Sequence, residues 1–138
     1  EVAERITAEP GSPGYGSLSV LHALTCTVRR TRDLAPRCFF PPPGVTSSFL
    51  RVAPRADAPI LPGELAAVER VVRAAFGQRR KTLVNALRGG GLAPAPEPEA
   101  IREALEALGH DPRVRAERLP PADHLALARR LLAAPAAR

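Results

Sequence analysis

The chain has 138 residues, a formal net charge of +6 and a pI near 10.9, enough for one domain or two small ones. No apolar run approaches the ~18 residues of a membrane span, and three scattered histidines with Cys26 and Cys38 give neither a metal spacing nor a disulfide framework. Its 20 basic residues exceed the 14 acidic ones, which favours a polyanionic partner. All the basic residues except Lys81 are arginine, a bias that raises the pI by itself, so local clustering is the better guide. Free thiols in a cytosolic chain are the simplest expectation. Methionine is absent and the first residue is Glu1, so the chain reads as an excerpt of a longer product, without an apolar signal segment between Glu1 and Pro10.

Val2, Ala3 and Ile6 with Glu1, Glu4 and Arg5 predict a short helix, stopped by the breaker run Glu9-Pro10-Gly11-Ser12-Pro13-Gly14. Tyr15 to Leu24 then suggests a buried helix through Leu18, Leu21 and Ala23-Leu24, while Val20 and Thr25 would tolerate a strand. From Thr27 to Leu34, Val28, Arg30, Arg32 and Leu34 alternate with Thr27, Arg29, Thr31 and Asp33, predicting a strand unusually basic for a buried position. Either one of its faces is solvated or it meets RNA. Phe39-Phe40-Pro41-Pro42-Pro43-Gly44 follows, and its three prolines predict a stiff polyproline II rod. A rod there makes the phenylalanines either core plugs beside a rigid connector or a presented ring on which a nucleobase stacks. Ser47 to Val52 predicts a second strand, ended by Pro54.

Composition shifts between Arg55 and Pro62, which reads as a linker, and the apolar period then changes from two to about 3.6. Leu65, Val68, Val72, Ala75 and Phe76 predict one buried helical face, with Gly77 as its stop. A second helix is expected from about Arg79 to Arg88, with Leu83 and Leu87 inward and Lys81, Asn85 and Arg88 forming a polar stripe at i, i+4 and i+7. Between Pro62 and Leu92 six basic residues (Arg70, Arg73, Arg79, Arg80, Lys81, Arg88) face two acidic ones (Glu64, Glu69), so most of the net charge is assigned here. Gly89-Gly90-Gly91 permits a left-handed cap. A helix opening at Pro98 buries Ile101, Leu105 and Leu108; His110 to Leu119 is a charged connector; and a last helix from Pro120-Pro121 turns Leu125, Ala128, Leu131 and Leu132 inward. Ala133 to Arg138 should fray. The second half is thus expected to be a bundle of about four helices.

Catalysis has little support from these residues. Gly89-Gly90-Gly91 follows a helix, so it is a cap and not a nucleotide cradle. His110-Asp111 reads as a helix-exit turn, and Glu97, Glu99, Glu103 and Glu106 as a solvated face. For Arg79-Arg80-Lys81 the alternatives are an ordinary wet face and a row of phosphate contacts, to which Asn85 adds a hydrogen bond.

The run Phe39-x-Pro-Pro-Pro-x-Val45-x-Ser47 followed by Phe49-Leu50-Arg51-Val52 resembles a motif of the small-subunit ribosomal RNA adenine N6,N6-dimethyltransferases. Three further stretches agree in the same order: Glu1-Val2-Ala3-Glu4-Arg5-Ile6, Tyr15-Gly16-x-Leu18-Ser19-Val20, and Phe76-Gly77-Gln78-Arg79-Arg80-Lys81-Thr82-Leu83-x-Asn85-Ala86-Leu87. Each motif is weak alone; four in register over nearly the whole chain are specific.

The resemblance implies an α+β chain: the terminal strands and helices of a Rossmann-like methyltransferase domain (1–54), a linker (55–62) and a small all-α helical rRNA-binding domain (63–138). It implies an S-adenosylmethionine-dependent enzyme that dimethylates two adjacent adenosines near the 3′ end of small-subunit rRNA, acting in the cytoplasm as a monomer without a membrane. The family's Gly-rich cofactor turn, ribose-binding acid and Asn-Leu/Ile-Pro-Tyr/Phe catalytic loop do not occur in this chain, so catalytic and cofactor-binding residues are expected upstream and the chain alone is expected to be inactive. Phe39 matches the aromatic that lies against the target base, and Arg79, Arg80, Lys81, Asn85 and Arg88 match the RNA-gripping helix. Gly44 replaces a usual lysine, Thr46 a usual aspartate and Ser17 a usual arginine, and the first and last of these changes remove charge near the RNA side. A non-catalytic RNA-binding or ribosome-assembly module is the alternative.

Overall fold

The computed structural model describes residues 1–133. A short helix α1 (Val2–Ile6) and a loop lead into α2 (Ser17–Thr25), which runs without a break into strand β1 (Cys26–Leu34). β1 pairs antiparallel with β2 (Ser47–Pro54) to form a two-stranded ribbon. Four helices follow: α3 (Leu65–Phe76), α4 (Leu83–Gly89), α5 (Pro98–Ala107) and α6 (Pro121–Ala133). The mixture of helix and strand matches the α+β reading, Gly77 and Gly91 (φ 76°) follow the helices they were expected to end, and Gly109 (φ 80°) follows α5.

One hydrophobic core organises these elements. Val20 and Leu24 of α2 lie in it with Val68, Val72, Leu83, Leu87, Ile101, Leu105 and Leu127 of the four later helices. The Tyr15 hydroxyl donates to the Leu119 carbonyl at 2.7 Å, tying chain positions more than a hundred residues apart. Burial, with smaller help from Glu9 and Asp123, pushes the Tyr15 phenol well above its usual range, so it stays a donor. Segment 55–62 is fastened at both ends. Arg55 donates to the Ala23 carbonyl at 2.7 Å, Ile60 enters the core, and Arg129 reaches both the Pro59 carbonyl and the Glu64 carboxylate. That pairing with Arg129 holds the Glu64 carboxyl below the usual carboxylate range.

Several expectations are corrected. Strict alternation in β1 fails because register shifts between Arg30 and Arg32; Thr31 is the extra residue, and its hydroxyl donates to the Phe49 carbonyl at 3.2 Å. The chain bends at Phe39–Pro41, where the Phe40–Pro41 peptide is cis, in place of a uniform polyproline II rod. Helix α4 begins at Leu83, not near Arg79, because Thr82 takes extended backbone angles and its hydroxyl caps the Asn85 N–H. The 110–119 connector buries Ala116 and Leu119, so it is part of the core. Leu132 is 46% exposed: α6 turns His124, Leu125, Leu127 and Ala128 inward, and Leu132 sits beyond them in the last turn. Of the stretch expected to fray, Ala133 closes α6 and 134–138 lie outside the described residues.

His124 is the buried polar group with the largest consequence. Its Nε2–H donates to the Ala116 carbonyl at 2.9 Å, and its ring lies 5.2 Å from that of Phe76. Burial pushes its pKa down to about 4, against weaker opposing effects of the Ala116 hydrogen bond and Asp123. The native state therefore holds neutral imidazole, whereas the unfolded chain protonates near pH 6.5. This contribution is complete above pH 6.5 and is lost as pH falls from 6.5 to 4, by about 3 kcal/mol in total. Urea midpoints measured at about pH 7 and about pH 5 should fall accordingly, and His124→Gln should flatten that part of the pH dependence. An unchanged slope in the variant would remove His124 as its source.

Candidate nucleic-acid interface

The basic turn is built by two close approaches. After α3 ends, Gln78 to Lys81 turn sharply, with the Lys81 N–H bonded to the Gln78 carbonyl at 3.0 Å. Thr82 then starts α4, and the Leu83 N–H is satisfied by the Val114 carbonyl at 2.8 Å. At the other end of α4, the Gln78 side chain reaches the Gly89 carbonyl at 3.5 Å. Gly90 touches α3 so closely that an added Cβ would lie 2.6 Å from Ala74 Cβ and 2.9 Å from Ala74 Cα. The turn is thereby pinned between α3, α4 and the 110–119 segment.

Arg79, Arg80 and Lys81 come together on this turn, and Asn85 and Arg88 follow on the exposed side of α4; all five are exposed. They do not form one helical stripe, because Lys81 precedes the helix. The backbone N–H of Asn85 is spent on the Thr82 cap, while its side chain faces solvent. Arg79 donates to the Pro13 carbonyl at 3.1 Å, which aims it over an open cleft of about 510 Å³ that Arg5, Ser17 and Phe76 also border. Among the described residues none of the five takes part in an ion pair. Exposed arginine and lysine without carboxylate partners keep their donors for a ligand, and such groups suit phosphate oxygens.

Phe39 stands elsewhere, in the loop joining β1 to β2 and roughly 25 Å along the ribbon from its base at Cys26. It is 40% exposed and Phe40 fully so, which leaves both rings free to meet a flat partner. The loop closes on itself through Cys38 N–H to Ala35 and Phe39 N–H to Pro36, and no hydrogen bond among the described residues joins it to the basic turn. Sequence reasoning missed Gln78 and Gly90, whose roles depend on the packing of α3 against α4. It also missed the Thr82 cap, although a threonine directly before Leu83-Val84 was a usable signal.

A metal centre is not assembled among the described residues, and none of their helices is long and apolar enough to cross a membrane. Two solved structures share the fold. A dimethyladenosine transferase from Plasmodium falciparum matches with a TM-score of 0.74 at 22% identity, over 91% of this chain and 51% of that one. The 23S rRNA methyltransferase ErmE matches with a TM-score of 0.61 at 21% identity, over 94% and 50%.

Residues 1–131 match the model of the ribosomal RNA adenine dimethylase family, and the chain belongs to that family. Ribosomal RNA small subunit methyltransferase A of Phenylobacterium zucineum is 45% identical over 128 residues, covering 93% of this chain and 41% of the relative. The protein of the same name from Rubrobacter xylanophilus is 44% identical over 131 residues, covering 95% and 47%. The chain thus spans less than half the length of these relatives.

The clamp on the turn can be tested by filling its tightest approach. Gly90→Ala should destabilise the chain by about 1–3 kcal/mol through overpacking, read as a lower urea midpoint at unchanged slope. Gly89→Ala meets only the flexible end of Gln78 and should cost less.

Proposed function

We propose that the chain is the C-terminal portion of an S-adenosylmethionine-dependent small-subunit rRNA adenine dimethyltransferase, and that its share of the work is to hold RNA. The carrying observation is the exposed, unpaired Arg79-Arg80-Lys81 turn within a member of this family. On this reading the turn, Asn85 and Arg88 contact phosphate and sugar, which fixes register without reading sequence. Phe39 stacks on an adenine taken out of its helix, contributing ~1–3 kcal/mol toward the cost of unstacking. The whole enzyme dimethylates N6 of two adjacent adenosines near the 3′ end of small-subunit rRNA. It works as a cytosolic monomer, a setting consistent with the free thiols of Cys26 and Cys38. On this reading 1–54 belong to its catalytic domain and the helices from α3 onward to its rRNA-binding part, the two sharing one core through α2.

The described residues do not fit the cofactor. Dinucleotide-like ligands bind in a crevice at the carboxyl ends of parallel strands, beside a glycine-rich strand-to-helix turn. Here the two strands are antiparallel, and neither leads through such a turn into a helix.

The RNA reading favours the enzyme's fragment over a stand-alone assembly module because the Phe39 motif serves a base at an active site, which a pure assembly module does not need. Two measurements test it. The isolated chain should neither bind S-adenosylmethionine by calorimetry nor transfer methyl groups to small-subunit rRNA, and turnover would refute the division of labour. Arg80→Gln with Lys81→Gln should weaken rRNA binding and lower the salt slope by roughly 0.7–0.9 for each phosphate no longer neutralised. An unchanged slope would return the turn to an ordinary wet surface.

A further inference from the structure

Two adjacent residues of α6 hold the 110–119 segment. At its start the His110 Nε2 lies 2.6 Å from the Asp123 carboxylate, and both side chains are half-buried. An ionised carboxylate only accepts, so Nε2 carries a proton and donates whether the ring is neutral or charged. Further on, the Ala116 carbonyl accepts from His124 Nε2–H at 2.9 Å. Asp123 and His124 thus fasten two points of the segment to the start of one helix. The His110 N–H also bonds the Leu105 carbonyl at 2.9 Å, which fixes its backbone at the exit of α5.

Between those points the chain has little freedom of its own. The Val114 N–H bonds the Asp111 carbonyl at 2.9 Å and the Arg113 N–H bonds the Asp111 carboxylate at 2.7 Å, closing 111–114 into a turn. The Val114 carbonyl of that turn takes the Leu83 N–H at 2.8 Å. Leu83 is the first residue of α4, so its N–H is among the four that a helix leaves without a partner of its own. Only Thr82 separates it from the 79–81 turn. The bond that decides where α4 starts, and so where Arg80 and Lys81 stand, is therefore made to a loop whose own place is set from α6.

We infer that His110 and Asp123 are positioning residues for RNA binding: their hydrogen bond fixes the Val114 carbonyl that seats α4 and the basic turn before it. This role rests on the RNA-binding reading above and asks neither side chain to touch RNA. The test pairs titration of small-subunit rRNA into the full chain across a salt series with hydrogen exchange of the Leu83 amide. His110→Ala and Asp123→Ala, checked for folding by circular dichroism, should each raise Leu83 exchange by roughly tenfold. Each should weaken rRNA binding by roughly three- to tenfold through lost pre-organisation. The salt slope should stay at the parent value, because no phosphate contact is removed. The double variant should lose no more than either single one, as expected of two residues acting through one bond. Asp123→Asn keeps an oxygen acceptor and should behave as the parent; a loss equal to that of Asp123→Ala would overturn the role of the bond. Glu64→Ala, which frees Arg129 further along α6, controls for general loss of stability and should change neither readout. Equal weakening by this control would overturn the inference, as would parent-like binding or exchange in His110→Ala, or a reduced salt slope. Arg80→Gln with Lys81→Gln is measured in parallel. If that pair weakens binding and His110→Ala does not, the positioning role alone falls; if that pair changes nothing, the RNA reading of the turn falls and this role with it.

Discussion

Burial of α2 among the four later helices is the constraint on which the molecule depends. Val20 is 0% and Leu24 1% exposed, and both touch the core formed by α3 to α6. Because α2 passes into β1 with no intervening loop, the direction of the ribbon is set by how this helix is seated. The junction is closed from the other strand as well. The Arg55 N–H bonds the Thr25 carbonyl at 3.0 Å and its guanidinium bonds the Ala23 carbonyl, placing a cation on the unpaired carbonyls at the C-terminus of α2. The two ends of the ribbon's base are thus held to one helix end.

Electrostatics divides the surface in a way that packing alone does not require. The exposed ion pairs Arg73–Glu69 and Arg102–Glu99 lie on helix faces, where such contacts add little stability. Three of the cations left without acids are consecutive, in the 79–81 turn. Uncompensated arginine costs little on a solvated surface and becomes favourable when phosphate replaces water around it. Clustering of unpaired charge is therefore stronger evidence of a partner than the net charge of the chain.

Much of the fold was legible in the sequence, and the misses share a cause. The described helices and both strands lie close to where they were expected, and Gly91 and Gly109 adopt the positive φ angles that suit helix exits. Leu132 was misread because a repeat of leucines says which side of a helix is apolar but not where the core ends. The 110–119 connector looked wet because its charges are local in sequence, whereas the burial of Ala116 and Leu119 depends on α6 and on Tyr15 from the opposite end of the chain. The cationic helix stripe became a turn because the Leu83 N–H is taken by the Val114 carbonyl and Thr82 is extended, so the helix starts only there. Which ribbon arginines share a face was hidden for a related reason: only the bulge at Thr31 brings Arg29 and Arg32 onto the same face.

That bulge decides which charges of the ribbon share a face. In a strand of strict period two, Arg30 and Arg32 would share a face, and Arg29 would stand on the other with Asp33. The extra residue reverses this from Arg32 onward. Asp33 moves to the side of Arg30 and is consumed there, while Arg32 joins Arg29 and Arg51 beside Phe49. One inserted residue therefore separates the Arg30–Asp33 pair from Arg29, Arg32 and Arg51.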